Sequence, residues 1–434
     1  MSSEDLKNIY KKDLTEDFPD QLTIKLGEVE LVYQKRLFDL PNEQGQIVQS
    51  GLRYGENPDQ GAALYRLING HLALAGLEFV SPKNGLVSNI GLSPKDAIYG
   101  SRKHPSKTNL TDVDSALGIL RYLGDKPAAI IVKHNNPSGA AQDDDQARAF
   151  QKAFEADRIA AFGGALVLNT PLTQDTAFLM NDRYLEVVAA PDFEEGVLNI
   201  LSRKPDLRIF KISDIAKLKD YAYLRFLDIK SLLDGGLILQ HSAVNKILKA
   251  SDFKVATAEK NGQKISSQRQ PTEAEYQDLL FGWAVEQGVI SNSVLFVKNQ
   301  VTVAIGCGQQ DRVGVVEVAA FKARRNYAEH LSHSNHGLSL LELSQAVEEG
   351  PKPMEAFSEI LKQVDDQRGN LMGSVMVSDA FFPFRDAVDS AIVEGVTAIA
   401  HPGGSLRDYE SIVAANETEP QVAMVFTGQR AFKH

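Results

Sequence analysis

The chain has 434 residues, a formal net charge of −11 and one cysteine, Cys307. That length allows two or three domains, each with a core of its own. The acidic balance disfavours non-specific nucleic-acid binding, and a lone thiol excludes an internal disulfide, which suits a reducing cytosol. The start, MSSEDLKNIYKKDL, carries early acids and no apolar stretch, so no secretory leader is expected. No apolar run approaches the ~18 residues of a membrane helix.

In chain order, residues 51–60 set Arg53 and Tyr54 among turn formers. Arg can grip a phosphate in a bidentate fork and Tyr can stack on a heterocycle; the alternative is a surface turn with a salt-bridging Arg. The apolar run 128–132 predicts a buried strand that ends on Lys133 and His134, an amine beside an imidazole. Asn136, Pro137 and Gly139 are then expected to turn the chain before a helix. Ligands of open α/β sheets bind beyond the carboxyl ends of strands, where such a pair can move protons and steady negative charge. Otherwise the pair belongs to an exposed loop. Asp143, Asp144 and Asp145 precede Ala147, Phe150 and Phe154, acids at a helix start followed by apolar residues at helical spacing. Phe162 and Gly163 come just before a predicted strand at 165–168, where glycine permits close approach by a ligand or simply a tight turn. The strand at 186–190 leads to Asp192, a ligand contact or a helix N-cap.

The stretch 210–264 is richer in Lys and Asp and reads as a connection, with a boundary near residue 226. Beyond it, a helix is expected at 273–287 and strands at 294–297 and 301–305. Ser291, Asn292 and Ser293 abut the first of these strands, and Asn292 there can orient a reacting group. Gly306 to Arg312 begins like a dinucleotide fingerprint, but Asp311 stands where the third glycine is needed. The segment leads into a periodic helix at 313–321, whose first N–H groups together with Arg312 form a plausible phosphate seat. His330, His333 and His336 read as solvated loop histidines, with a metal site as the alternative. A strand at 375–377 runs into three aromatics, of which Phe381 or Phe382 can sandwich a flat ring or build a cluster under the loop. A helix at 386–394 and strands at 397–400 and 422–426 follow. The basic tail 428–434 either frays or folds Arg430 and Phe432 back into a site. Alternation of this kind argues for an α/β architecture. An apolar run followed by His, Pro and Gly occurs near 132–139 and again at 400–405, which hints at a duplicated unit. No G-x-x-x-x-G-K-[ST] phosphate loop, G-x-S-x-G elbow or zinc spacing of His and Cys occurs.

The segments LRYGENPDQ, VKHNNPSGAA, DRIAAFGG, VVAAPDFEE, SNSVLFVKN, GCGQQDRV, SDAFFPFRDAVD, IAHPGGS and a terminal R-x-F-x-H occur in this order from residue 52 onward. Together they resemble the AICAR transformylase family (5-aminoimidazole-4-carboxamide ribonucleotide formyltransferase). In most members this domain follows an IMP cyclohydrolase domain. Here about fifty residues precede LRYG, so the expectation is a stand-alone form, with a separate IMP cyclohydrolase downstream.

The resemblance implies two cytidine-deaminase-like three-layer α/β/α units without zinc. Residues 1–226 hold the first with an N-terminal extension; 227–434 hold a connecting helical region and the second. It also implies a cytoplasmic homodimer with shared active sites. The reaction would pass a formyl group from 10-formyltetrahydrofolate to the 5-amine of AICAR, giving FAICAR and tetrahydrofolate in de novo purine biosynthesis, with no metal. By motif, Lys133, His134 and Asn292 match the catalytic residues. Arg53, Tyr54, Gly163, Asp192, Arg312, Phe381 and Arg430 match contacts to the ribonucleotide. Val313, Asp386, Ser405 and Leu406 match positions that touch the folate. Ser138 stands where relatives often carry Cys, and His401 where some have a small residue. Two other classes stay open: another transferase or deaminase on the same fold, and a non-catalytic nucleotide-sensing protein. The missing zinc ligands argue against a deaminase, and the presence of Lys133, His134 and Asn292 argues against a dead enzyme.

Overall fold

Runs of consecutive apolar residues need cover on both faces, and in this mixed α/β chain they become the central strands. The computed structural model describes residues 18–41, 45–52, 62–68, 105–204, 206–224, 227–231, 233 and 237–434. These residues fall into two compact units, one of residues up to 117 with Gly163–Val244, the other of Gly118–Phe162 with Asn245–His434.

In the first unit, strands Gln21–Leu26, Val29–Arg36 and Leu64–Leu67 form an antiparallel sheet over buried Leu31. Strands Ala165–Leu168, Val187–Ala190 and Arg208–Lys211 pair in parallel, and the first two are buried at every position. The stretch read as a connection holds a hairpin of Leu227–Ser231 with Leu237–His241.

The second unit carries a mixed eight-stranded sheet. Its strands, in chain order, are β1 (Ala128–Lys133), β2 (Asn136–Gln142), β3 (Lys254–Val255), β4 (Val294–Lys298), β5 (Val301–Gly306), β6 (Val375–Ser378), β7 (Ala398–His401) and β8 (Ala423–Phe426). The spatial order is β1-β2-β5-β4-β6-β7-β8-β3. β6, β7 and β8 run parallel, and the other neighbours are antiparallel. Helix Glu273–Glu286 covers one face, with Gly282 against Val377, Val297 and Leu295. Helices Arg312–His336, Asp386–Val393 and Asp408–Asn416 cover the other, around Phe296, Phe382, Met376 and Ile399. Full burial of Phe296 or Phe382 contributes about 1.5–3 kcal/mol each.

Two local expectations are corrected. Asn136, Pro137 and Gly139 do not turn the chain towards a helix; they begin β2, antiparallel to β1. The turn is made by His134 and Asn135, with φ of 55° and 62°, a two-residue connection whose left-handed backbone matches the twist of a hairpin. Pro137, with no N–H, sits where the register slips between Ile131 and Val132. There Ser138 Oγ donates to the Ile131 carbonyl (3.2 Å). Gly139 lets helix Gln146–Ala156 lie directly on β2, since a Cβ there would overlap the Ala153 carbonyl oxygen. The second correction concerns His330, His333 and His336. They lie on helix Arg312–His336 rather than in a loop, and His330 Nδ1 stands 3.3 Å from Glu155 Oε2. The apolar residues continue at helical spacing past Phe321, so the helix runs on to its cap at Gly337, φ 71°.

The same plan occurs twice along the chain. β1 and β2 form a hairpin, and three mutually parallel strands follow at Ala165–Leu168, Val187–Ala190 and Arg208–Lys211. β4 and β5 form a hairpin, and β6, β7 and β8 follow. The second hairpin also closes on two left-handed residues, Asn299 (φ 55°) and Gln300 (φ 56°). Each is preceded by a lysine that holds a carbonyl near the start of the next strand: Lys133 Nζ to Phe162 O (2.6 Å), and Lys298 Nζ to Met372 O (2.8 Å).

Candidate active site

The polar residues around β4, β5 and β6 converge at one edge of the sheet. Ser291, Asn292 and Ser293 enter β4, Cys307 to Asp311 leave β5, and Asp379 leaves β6. Antiparallel pairing of β4 with both neighbours puts the start of β4 beside both ends.

Arg312 links them. Its Nη1 donates to Asp379 Oδ1, the Ser293 carbonyl (3.2 Å) and Ser378 Oγ (3.2 Å); its Nη2 donates to Asn292 Oδ1 (2.8 Å). Arg312 is 9% exposed and Asp379 fully buried, so this is an ion pair in the wall rather than a surface contact. Asp379 Oδ2 also accepts from Ser291 Oγ (2.6 Å). Asn292 Nδ2 donates to the Gln310 carbonyl (3.2 Å). A guanidinium can only donate, so Asn292 has a defined amide orientation. The start of helix Arg312–His336 is capped by Asp311, whose Oδ1 accepts from Gly314 N (2.6 Å). The helix end expected as a phosphate seat therefore carries a carboxylate, and the Arg312 guanidinium faces Asp379 and Asn292.

A cleft of about 490 Å³ opens here, lined by Asn292, Gln310, Asp311, Arg312, Val313, Phe381, Phe384, Asp386, Arg430 and Phe432, among others. Seven residues singled out from the sequence thus share it: Asn292, Arg312, Val313, Phe381, Asp386, and, on a tail that folds back, Arg430 and Phe432. The Arg430 guanidinium lies 5.1 Å from the Phe381 ring centre and 5.6 Å from that of Phe432. A flat cation over an aromatic face makes a stacking platform next to a fixed amide. Of the two candidate ring partners, Phe381 reaches the cleft, whereas Phe382 is wholly buried.

Lys133 and His134 do not line that cleft. Their turn is nevertheless fastened to the Asn292 segment, because Asn136 Oδ1 accepts from Ile290 N (2.9 Å). Lys433 Nζ adds bonds to the Asn135 carbonyl (3.1 Å) and the Gly288 carbonyl (2.9 Å). Ser405 and Leu406 follow β7 outside the cleft lining: Ser405 N donates to Asp408 Oδ2 (3.1 Å), and Leu406 is nearly fully exposed. Gly163 and Asp192 belong to the first unit. Gly163 has φ 75° and its N–H donates to the Tyr184 carbonyl (2.9 Å). Asp192 pairs with Lys211 (2.5 Å), which with the Phe193 N–H lowers its pKa; it caps no helix. Arg53 and Tyr54 lie outside the described residues.

Reading the sequence missed Asp379, Glu286 and Lys433, and it gave Ser291 and Ser293 no role of their own. Glu286 is fully buried and its Oε1 accepts from Ser293 Oγ (2.9 Å). Burial first, then repulsion from Asp379, raises its pKa well above the ordinary carboxyl value. Its only visible signal was an acid set in the apolar stretch Leu-Leu-Phe-Gly-Trp-Ala-Val-Glu. His401 packs edge-on to Phe382 and Phe426, and its Nδ1 accepts from Gly403 N (3.2 Å). Burial, then the Arg312 charge, lowers its pKa to about 3, so the ring is neutral. Among the described residues, no group of three or more His, Cys, Asp or Glu is arranged to hold a metal ion, and no helix is long and apolar enough to cross a membrane.

Residues 32–322 match the family model described as AICARFT/IMPCHase bienzyme. Three similar curated proteins are each described as bifunctional purine biosynthesis protein PurH. That of Caldicellulosiruptor saccharolyticus is 34% identical over 417 residues, covering 96% of this chain and 61% of the relative. That of Chlorobaculum parvum is 35% identical over 385 residues (88% and 59%), and that of Persephonella marina 36% over 384 residues (88% and 59%). The chain spans about three-fifths of the length of these relatives.

Proposed function

This chain belongs to the AICARFT/IMPCHase bienzyme family, and on that premise we propose that it transfers a formyl group from 10-formyltetrahydrofolate to the 5-amine of AICAR. The products are FAICAR and tetrahydrofolate, a step of purine biosynthesis. The observation that carries this reading is the cleft in which a fixed amide, Asn292, stands beside the Phe381–Arg430 platform.

The amine of an aminoimidazole is a weak nucleophile, because its lone pair is drawn into the ring and the carboxamide. It must lose a proton as it attacks the formyl carbon. His134 assists as general base, through the carboxamide. Lys133 and Asn292 stabilise the tetrahedral oxyanion. As the C–N bond to the folate breaks, N10 takes a proton from Lys133 or His134. No covalent enzyme intermediate is needed. Arg53, Tyr54, Gly163, Asp192, Phe381 and Arg430 contact the ribonucleotide in this reading, and Arg312 contributes by holding Asn292. Val313, Asp386, Ser405 and Leu406 face the folate.

The finer architecture is part of the proposal: two cytidine-deaminase-like units meeting in sequence near residue 226, supported by the repeated succession of a hairpin and three parallel strands. So are a homodimer with shared sites and a cytoplasmic setting.

The test is release of tetrahydrofolate from 10-formyltetrahydrofolate, followed spectrophotometrically with and without AICAR. AICAR-dependent release is expected, and His134→Ala should lower turnover about 10²-fold or more. Tight AICAR binding with no release would instead favour a nucleotide sensor, and a His134→Ala variant as fast as wild type would remove the imidazole from the mechanism.

A further inference from the structure

We propose that Lys433 is a positioning residue, whose ammonium holds the His134 turn against the segment that carries Asn292. The inference rests on the formyl-transfer reading for its effect on turnover, but the clamp is a matter of geometry. Asn135, the second residue of the turn, is left-handed at φ 62°, and the hairpin closes on the pair Lys133 and Asn136. The Asn135 carbonyl therefore points out of the ladder. Lys433 Nζ donates to it at 3.1 Å and, from the same nitrogen, to the Gly288 carbonyl at 2.9 Å. Gly288 lies four residues before Asn292.

The lysine has a fixed base from which to reach. Ser291 N donates to the Lys433 carbonyl (3.0 Å), and Lys433 N donates to Ser291 Oγ (3.1 Å). Two residues earlier, Ala431 N donates to the Asp379 carbonyl (2.9 Å). The backbone of Lys433 is thus held on both sides, and its ammonium spans the gap between two carbonyls. Asn136 makes the other tie, to Ile290 N (2.9 Å). Two bonds at successive residues fix both the position and the tilt of the turn; one alone leaves the tilt free. His134 is the residue directly before the clamped carbonyl. A shift of about 1 Å in a reacting group costs on the order of 10²-fold in rate, so losing the clamp should be visible in turnover.

Lys433→Met keeps the length of the side chain and removes its donors. It should lower kcat about 10-fold or more while KM for AICAR stays within about twofold, because a misplaced turn impairs chemistry rather than nucleotide capture. Lys433→Arg, which can still bridge two carbonyls, should recover most of the loss. Hydrogen exchange on the protein alone supplies a readout independent of the reaction. Amides 134–136 should exchange faster in Lys433→Met, while those of 128–132 keep their protection and report an intact fold. If Lys433→Met unfolds, the neutral donor variant Lys433→Gln takes its place and should show the same exchange change. Unchanged exchange at 134–136, a wild-type kcat in Lys433→Met, or no rescue by arginine would overturn the clamp. Absence of AICAR-dependent turnover in the wild type would remove the formyl-transfer reading, and the exchange result would still decide the clamp.

Discussion

Replacing Arg312 by methionine takes a guanidinium away from a carboxylate that is fully buried. Asp379 would keep its bond from Ser291 Oγ (2.6 Å) but lose the facing positive charge. The Ser293 carbonyl and Asn292 Oδ1 each lose a donor as well. Breaking a buried pair from one side typically costs about 3–5 kcal/mol, because the remaining charge must stay unsolvated or take up a proton. With a urea m-value of about 3 kcal/mol per molar, that lowers the unfolding midpoint by about 1–1.7 M. The chain has one tryptophan, Trp283, which is buried in the same unit with its indole N–H on Asn245 Oδ1 (2.9 Å), so its emission reports unfolding of this unit. The double variant Arg312→Met/Asp379→Leu removes both charges and should cost clearly less than Arg312→Met alone. A midpoint shift below about 0.3 M for the single variant, or a double variant at the sum of the two singles, would show that the pair is not a coupled buried unit.

Glu286 has its pKa raised by burial and by Asp379. The folded state therefore holds the proton longer than the unfolded state, so its stability is full below the unfolded carboxyl pKa and declines as pH rises towards the folded value. Glu286→Gln removes this slope, so its urea midpoint should gain on wild type between pH 5 and pH 8 (both about), and a gap that shrinks with rising pH would contradict the sign. Gly139→Ala forces a Cβ into the Ala153 carbonyl and within 3.1 Å of Ala156 Cβ. Neither neighbour is a flexible side-chain tip, so a loss of about 2–3 kcal/mol is expected in denaturant titration, and a loss under about 0.5 would mean that the helix simply moves aside.

The strands were legible because they are buried on both faces. The run at 165–168 matches its strand residue for residue, and those at 128–132, 294–297 and 301–305 end within one residue of theirs. Local chemistry also marked helix Gln146–Ala156, where Asp145 caps Arg148 N as the acids suggested. The turn after Lys133 was misread because Asn136, Pro137 and Gly139 resemble turn formers in composition. Which pair adopts the left-handed backbone depends on how β2 pairs with β1, which composition does not display. The site divided in the same way. Asn292, Phe381 and Arg430 flank apolar runs and drew notice, whereas Lys433 acquires its meaning from Asn135, 298 residues away in the chain. Glu286 carries one local signal, its place in an apolar stretch, while Ser293 and Asp379, which define its surroundings, come from other segments.

The two hairpins that each place a lysine ahead of a left-handed pair use one local device twice. Both ammonium groups, Lys133 and Lys298, grasp a main-chain oxygen three residues ahead of a parallel strand, so the same grip pins both turns. What differs is the next residue, His134 in one and Asn299 in the other. On the proposed reading, proton chemistry at the first turn rests on that one exchange, an imidazole where the second turn carries a carboxamide.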